Sequence, residues 1–289
     1  MKYAWIEGHS HSQSIARLCR VLGVSRTGFL QWRIREPSER DQANHALDAR
    51  VAIIHAESKR SYGRIRITRR LHQQGIAVGH ERVRKSLCRQ HLRSVYRRKY
   101  RVTTDSAHSK PVAANLLARR FDGWSLNRAW TADITYLATD EGWLYLAAIL
   151  DLATRRLVGW AMSERIDAKI VCDALQMAYW RRRPDANLLM HSDRGVQYAS
   201  HEYRELLKQF KMTQSMSRKA NCWDNAPMES FFKSLKVERI YQLRYTSRAQ
   251  ARLDVVNWIE GFYNLERLHS TIDYQSPVDL ENSLQATQV

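Results

Sequence analysis

Three apolar runs of strand length follow one another between residues 130 and 162, and this pattern narrows the fold more than any other. Trp130 to Ala138 reads as a strand with Asp133 in its middle. Gly142 precedes a second run, Trp143–Leu152, and the turn Ala153-Thr154-Arg155-Arg156 leads into a third, Leu157–Met162. Turns this short predict an antiparallel meander. Helical periodicity then predicts a helix over about 168–180, with Ile170, Val171, Ala174, Leu175 and Ala178 facing the sheet. Leu188–Met190 predicts a short buried strand that ends at His191-Ser192-Asp193. Ser200 can cap a helix running to about Phe210, Met212–Met216 predicts a fifth strand, and Pro227 can open a last helix. The order βββαβαβα predicts an α/β unit, a mixed five-stranded sheet with flanking helices.

The carboxylates sit at telling places in that pattern. If the first and fourth strands pair, Asp133 and Asp193 lie side by side at the centre of the sheet, and Glu229 on the last helix can lean over their edge. Three converging carboxylates repel one another, and one of them would be forced to hold a proton. Divalent cations remove the conflict. Magnesium is the hard, oxygen-seeking ion bound by a few carboxylates plus substrate phosphate, and two such ions clamp the attacking and leaving oxygens of an in-line phosphoryl displacement. Competing acids have simpler explanations. Asp151 precedes a hairpin turn, where aspartate is ordinarily structural. Asp224, beside Asn225 and Pro227, reads as a helix cap, and Glu238 as a solvated surface group.

Charge adds a partner. Lys and Arg number 47 against 29 Asp and Glu, a net of +18. Residues 1–120 hold 26 against 8, and residues 121–289 hold 21 against 21, so the whole excess lies in the first 120 residues. Such a block attracts a polyanion by counterion release, and nucleic acid is the usual partner. A solvated basic surface is the blander reading, and an uneven distribution disfavours it. Within the block, Ile15, Leu18, Cys19 and Leu22 share a helical face, Gly23 ends that helix, Ser25 can cap the next, and Phe29 and Trp32 form its buried side. This is a helix-turn-helix pattern, which places a second helix in the major groove. Gly28 within that helix costs about 1 kcal/mol against alanine and speaks for a plain helical hairpin instead. A second helical unit follows, with Leu47, Val51 and Ile54, then Ile65 to Leu71, then Val83, Leu87 and Leu92 as its apolar positions. Arg26 and Arg33 in the first unit, and Arg64, Arg66, Arg69, Arg70, Arg82 and Lys85 in the second, are the candidate DNA contacts.

The words around the acids resemble a known family. Asp133 and Asp193 are separated by 59 residues, Asp193 and Glu229 by 35, and Lys236 follows the glutamate by seven. The spacing is similar to the Asp-Asp-(35)-Glu signature of insertion-sequence transposases and retroviral integrases. W-T-A-D-I-T-Y, H-S-D-R-G-V-Q-Y and D-N-A-P-M-E-S-F-F-K-S-L-K surround the three acids, and Y-N-L-E-R-L-H-S-T-I-D-Y-Q-S-P closes the likeness at Pro277. The chain resembles the second-reading-frame protein of two-frame bacterial insertion sequences over most of residues 15–280. The resemblance implies a ribonuclease-H-like core in which Asp133, Asp193 and Glu229 are both catalytic and metal-binding. It implies two Mg²⁺ (or Mn²⁺) ions per site, and cleavage and strand transfer at element ends. Double-stranded DNA, both element ends and target, is then the partner, with Lys236 and Lys233 touching it, and the protein acts as a homo-oligomer. A first-reading-frame partner protein is also implied, since no sustained heptad repeat appears here. The zinc module of retroviral integrases is missing, because His9 and His11 have no matching cysteine pair.

The division expected is a helix-turn-helix over 1–40, a second basic unit over 41–101, a linker over 102–125, the integrase-like core over 126–240 and a helical extension over 241–289. The apolar run at 143–150 is too short to span a bilayer, no secretory leader opens the chain, and the four scattered cysteines fit a reducing cytoplasm. No membrane and no ATP are expected: Gly23-x₄-Gly28 is followed by Phe29, where a phosphate loop needs lysine. His191 and Ser192 border the acids as substrate contacts or as structural groups, and Arg267 and His269 read as helix-surface residues. Two other functions compete, a DNA-binding regulator that uses only residues 1–100 and a general nuclease of ribonuclease-H type. The first has no need of three acids, and the second has no need of the basic block.

Overall fold

The structure, a computed structural model, describes residues 2–95, 112–219 and 221–287. It opens with α1 (Lys2–His9), α2 (Ile15–Val21) and α3 (Arg26–Ile34). Ser14 and Ser25 cap the second and third by accepting the backbone N–H of Arg17 and Gly28. Ile6, Leu18, Cys19 and Phe29 form the centre of this unit, so α1, which the apolar pattern does not announce, completes a three-helix core. Gly28 has a local reason. A Cβ there would lie 2.6 Å from the Tyr3 hydroxyl. Trp32 departs from expectation: it is 40% exposed and stacks on the outside of Phe29.

The second helical unit is α4 (Glu39–Glu57), α5 (Arg64–Gln73) and α6 (His80–Arg89). Leu47, Val51, Ile54, Ile67, Leu71 and Val83 fill it. Its apolar cluster runs on without a break into residues of the sheet and of the C-terminal segment.

The five predicted strands are present: β1 (Ala129–Thr139), β2 (Gly142–Asp151), β3 (Leu157–Ser163), β4 (Leu189–Ser192) and β5 (Thr213–Met216). Their order is β3-β2-β1-β4-β5. The first three form the antiparallel meander, and β1, β4 and β5 run parallel. Helices α7 (Ala168–Arg182) and α8 (His201–Gln209) cover one face, where Ile170, Ala174 and Leu175 pack with Trp130, Ala132 and Met190. The approach of α7 is close at Gly159: a Cβ there would meet the Ala174 carbonyl oxygen at 2.4 Å and Ala178 Cβ at 2.7 Å. On the other face lie α9 (Ala226–Glu238), α10 (Arg248–Val256) and a π-helical turn over Asn257–Tyr263. There Phe231, Phe232, Leu235 and Trp258 pack with Leu137, Leu146 and Leu150. The chain closes with α11 (Pro277–Ala286), whose buried Glu281 pairs with Arg156 and Arg182.

Asp151 has the turn-organising role expected of it. Its buried carboxylate accepts from the backbone N–H of Asn127 and Ala153 and from the Trp130 indole. Ahead of β1, residues 112–119 are strapped to the sheet edge, since the backbone N–H groups of Leu116 and Leu117 both donate to Ser215 Oγ on β5. Among the described residues, no helix is long and apolar enough to cross a membrane.

Candidate active site

Strand register brings the first two acids together. Ala129 to Ala132 of β1 align with Leu189 to Ser192 of β4, so the next residues in each strand direction are Asp133 and Asp193. Side chains alternate along a strand, and both acids take the parity of Ala129, Leu137 and Leu189, whose side chains lie with α9. Glu229 stands in the first turn of that helix. Asn225 fixes where the helix begins: it accepts a short hydrogen bond from the Thr131 hydroxyl and its side-chain amide donates to the Ala132 carbonyl at 3.0 Å. The start of α9 is thereby tied to β1 immediately before Asp133. Asn225 lies inside the D-N-A-P-M-E-S word, but nothing in the sequence shows that it bridges to β1.

The electrostatics follow from this proximity. Burial, then the Asp193 carboxylate, then Glu229 push the Asp133 carboxyl well above the ordinary range, against the pull of the Ile134 N–H and of Lys236. Burial also raises Glu229. Asp133 accepts its own neighbour's N–H, Ile134, at 2.7 Å, and Asp193 Oδ1 accepts from Gly195 N at 2.9 Å. Among the described residues no three His, Cys, Asp or Glu side chains are gathered as a ready set of metal ligands. Beneath the acids the Tyr198 hydroxyl is fully buried without a hydrogen-bond partner among the described residues. Burial and the fields of Asp133 and Asp193 drive its pKa well up.

Lys236 is not an exposed surface cation. It is 8% exposed, its Nζ lies 4.7 Å from the Tyr136 ring centroid, and burial lowers its pKa while Asp133 raises it. Lys233, one turn back, is exposed. His191 is a structural group: fully buried, with Nδ1 2.9 Å from Ser215 Oγ and Nε2 3.2 Å from Ser217 Oγ, it is lowered to about 4 by burial.

Three readings of charged residues need correction. Asp224 does not cap α9. It is buried and paired with Arg218 and Arg119, each at 2.8 Å, and hydrogen bonding from Arg218 holds its carboxyl far below the usual range. Glu238 is not solvated, and Arg267 and His269 do not lie on a helix surface; all three are buried. Arg267 grips Glu238 with two hydrogen bonds of 2.7 Å, and Arg66 of α5 approaches the same carboxylate at 3.7 Å. Charged residues are buried only when paired, and the partners here come from segments too far apart in sequence for local patterning to link them.

The candidate DNA contacts divide accordingly. Arg66 faces inward to Glu238 and the Tyr62 ring, Arg69 lies over the Tyr274 ring, and Arg70 donates to the Glu266 carbonyl. Arg82 donates to Asn44, and Arg33 pairs loosely with Glu7 at 3.7 Å. Arg26, Arg64 and Lys85 are exposed.

Residues 125–222 match a family described as "Integrase core domain", residues 210–277 match a second family of that description, and residues 41–100 match "HTH-like domain". An integrase core behind a helix-turn-helix-like unit defines an enzyme that cleaves DNA and transfers strands. Within that class, the chain belongs to the IS3-family transposases. It is 45% identical over 284 residues to "Transposase InsF for insertion sequence IS3A" of Escherichia coli (strain K12), covering 98% of this chain and 99% of that protein. It is 43% identical over 260 residues to "Insertion element IS600 uncharacterized 31 kDa protein" of Shigella sonnei, covering 90% and 96%. Among solved structures, the catalytic core domain of BIV integrase is 16% identical with a TM-score of 0.41, covering 56% of this chain and 98% of that one.

Proposed function

We propose that Asp133, Asp193 and Glu229 form the site at which this transposase cuts and joins DNA at the ends of an insertion sequence. The observation that carries the reading is the alignment of β1 with β4, with α9 tied by Asn225 to the same stretch of β1. Two Mg²⁺ or Mn²⁺ ions suit this donor set, which is hard oxygen only, and a cation would offset both the burial of Asp133 and its repulsion by Asp193 and Glu229, which together hold its carboxyl up. When bound, such ions activate the attacking oxygen and stabilise the leaving oxygen of an in-line displacement. The protein's own contribution is placement. β1 and β4 hold two carboxylates on rigid adjacent strands, the α9 anchor sets the third, and Lys236 beside Asp133 presents a cation to the phosphate under attack. The attacking group is water or a DNA 3′-OH, so no protein nucleophile is required.

In this reading duplex DNA at the element ends and at the target is held through the basic helical units, with Arg26, Arg64 and Lys85 at the surface. The protein works on DNA as a homo-oligomer alongside a first-reading-frame partner protein, in the cytoplasm. The units are residues 1–40, 41–101, 126–240 and 241–289, with 102–125 joining the second to the core. The test is chemical. Asp133→Asn, Asp193→Asn and Glu229→Gln should each abolish Mg²⁺-dependent cleavage of element-end DNA and leave duplex affinity near wild type. Wild-type cutting by any one of them removes that residue from the site.

A further inference from the structure

A second site lies beyond the acids, on the neighbouring face of α9. A cleft of about 800 Å³ opens between the start of α5, one side of α9 and the segment around residues 269–274. Its α9 wall includes Ala226, Ser230, Lys233 and Val237, a stripe at helical spacing. Glu229 and Lys236 occupy the adjoining stripe, roughly 100° around the helix. The same helix thus serves the candidate cutting site with one face and this cleft with the next.

The cleft has the chemistry of a phosphate site. Among the described residues, Arg64, Arg66, Arg155, Lys233 and Arg267 line it against Asp122 and Glu238. Glu238 is consumed by Arg267 and Arg66, and Asp122 by Arg155. Neither Arg64 nor Lys233 makes an ion pair among the described residues. Hydroxyls converge as well, from Ser94, Ser230, Ser270 and Thr271. The N-terminus of α5 enters the cleft with Gly63 as an N-cap that offers no side-chain bond and with no acid in its first turn. Arg64 stands there as the first helical residue, the end where a cation is least favoured and an anion most. Arg155 also lines the cleft, at 8% exposure. Its Nη2 donates to Asp122 and to the Phe121 carbonyl, while its buried Nη1 has no partner among the described residues.

We propose that this cleft binds the phosphodiester backbone of a single DNA strand that passes around α9 on its way to or from the acids. The inference rests on the reading of Asp133, Asp193 and Glu229 as the cutting site. A volume of this size exceeds what one phosphate needs and accommodates a few linked nucleotides but not a duplex.

The experiment uses the full chain in the absence of divalent metal, with fluorescence anisotropy of a labelled short oligothymidylate and of a blunt duplex. Arg64→Glu and Ser230→Glu place a negative charge on opposite walls at exposed positions, and thermal melting checks that both variants fold as the wild type. Each should weaken oligothymidylate binding about tenfold or more, and Arg64→Glu should also make the log–log salt slope shallower by about one. Ser230→Glu, on a helix outside the basic units, should change duplex affinity less than about threefold, whereas Arg64→Glu also removes a duplex contact. Lys208→Ala on α8 should change neither. Wild-type oligothymidylate affinity in both variants overturns the proposal. An equal loss of duplex affinity in Ser230→Glu overturns its strand selectivity. Cutting assays with Asp133→Asn separate the two readings, because a fault there removes the cutting site and leaves the anisotropy result unexplained, whereas a fault in the anisotropy removes only the cleft.

Discussion

Lys236 and Glu229 are seven residues apart, two helical turns, and so share one face of α9. That much is visible in the sequence. What the sequence hides is that Lys236 is buried against Tyr136 and sits in the field of Asp133. A base-rate reading makes a lysine on a helix a solvated one, and hydropathy patterning has no means of correcting it. The buried setting sharpens the expectation: Lys236→Ala should lower cleavage at element ends by about 10–100-fold, with Lys236→Arg retaining part of the activity because charge outweighs shape. Wild-type turnover by the alanine variant in a strand-cleavage assay removes the lysine from the mechanism. His191 makes a different prediction. In the unfolded chain its imidazole takes a proton near pH 6.5, whereas in the fold burial holds it down to about 4. Between those values the unfolded state binds more protons. The stabilising effect of burying a neutral ring is therefore full above about pH 6.5 and is lost as pH falls towards 4, a change on the order of 3 kcal/mol. His191→Gln should flatten that part of the stability–pH curve in denaturant titrations, and an unchanged slope would count against the buried neutral ring.

The strands were legible because alternation and short turns are local properties, and the helix against them because its apolar face repeats every three or four residues. The parallel pairing of β1 with β4 followed from a conditional reading of where two aspartates fall, and the register bears it out. The first helix was not legible. α1 offers only Ile6 and Tyr3 to its unit, too few apolar positions to raise a period. Nor was the closeness of α7 to β3, since a glycine in a strand does not reveal what approaches it. Gly159→Ala therefore tests the packing. The added methyl has the Ala174 carbonyl and Ala178 in its way, α7 must move off the sheet, and the cost should be about 1–3 kcal/mol, read as a lower denaturation midpoint. No loss of stability would mean that α7 does not sit so near.

The helical units are joined to the rest in unequal ways. The apolar cluster of α1–α3 shares no member with the other two clusters, whereas α4–α6 continue into the core through Tyr62, whose hydroxyl accepts from Leu268 N at 2.8 Å, and through Arg66 at Glu238. Removing residues 1–35 should leave the melting temperature of the remainder within about 2 °C, while removing residues 1–95 should lower it by on the order of 5–10 °C. Calorimetry decides this, and equal effects of the two deletions would contradict the shared core. The sequence marked both units as basic helical segments, but charge counts describe a partner and carry no information about which unit is welded to the catalytic core.

The buried Glu238–Arg267 pair has a consequence for the order of synthesis. A ribosome delivers all three acids, and the whole of α9, before it reaches Arg267. Until then Glu238 has only Arg66 near it, and a buried carboxylate with one distant partner destabilises the last turn of α9. A nascent or prematurely terminated chain that stops short of the tail therefore carries all three acids, with Glu229 on a helix that is not yet seated. Seating of the helix that carries Glu229 thus comes late in translation, with the residues that follow the π-helical turn.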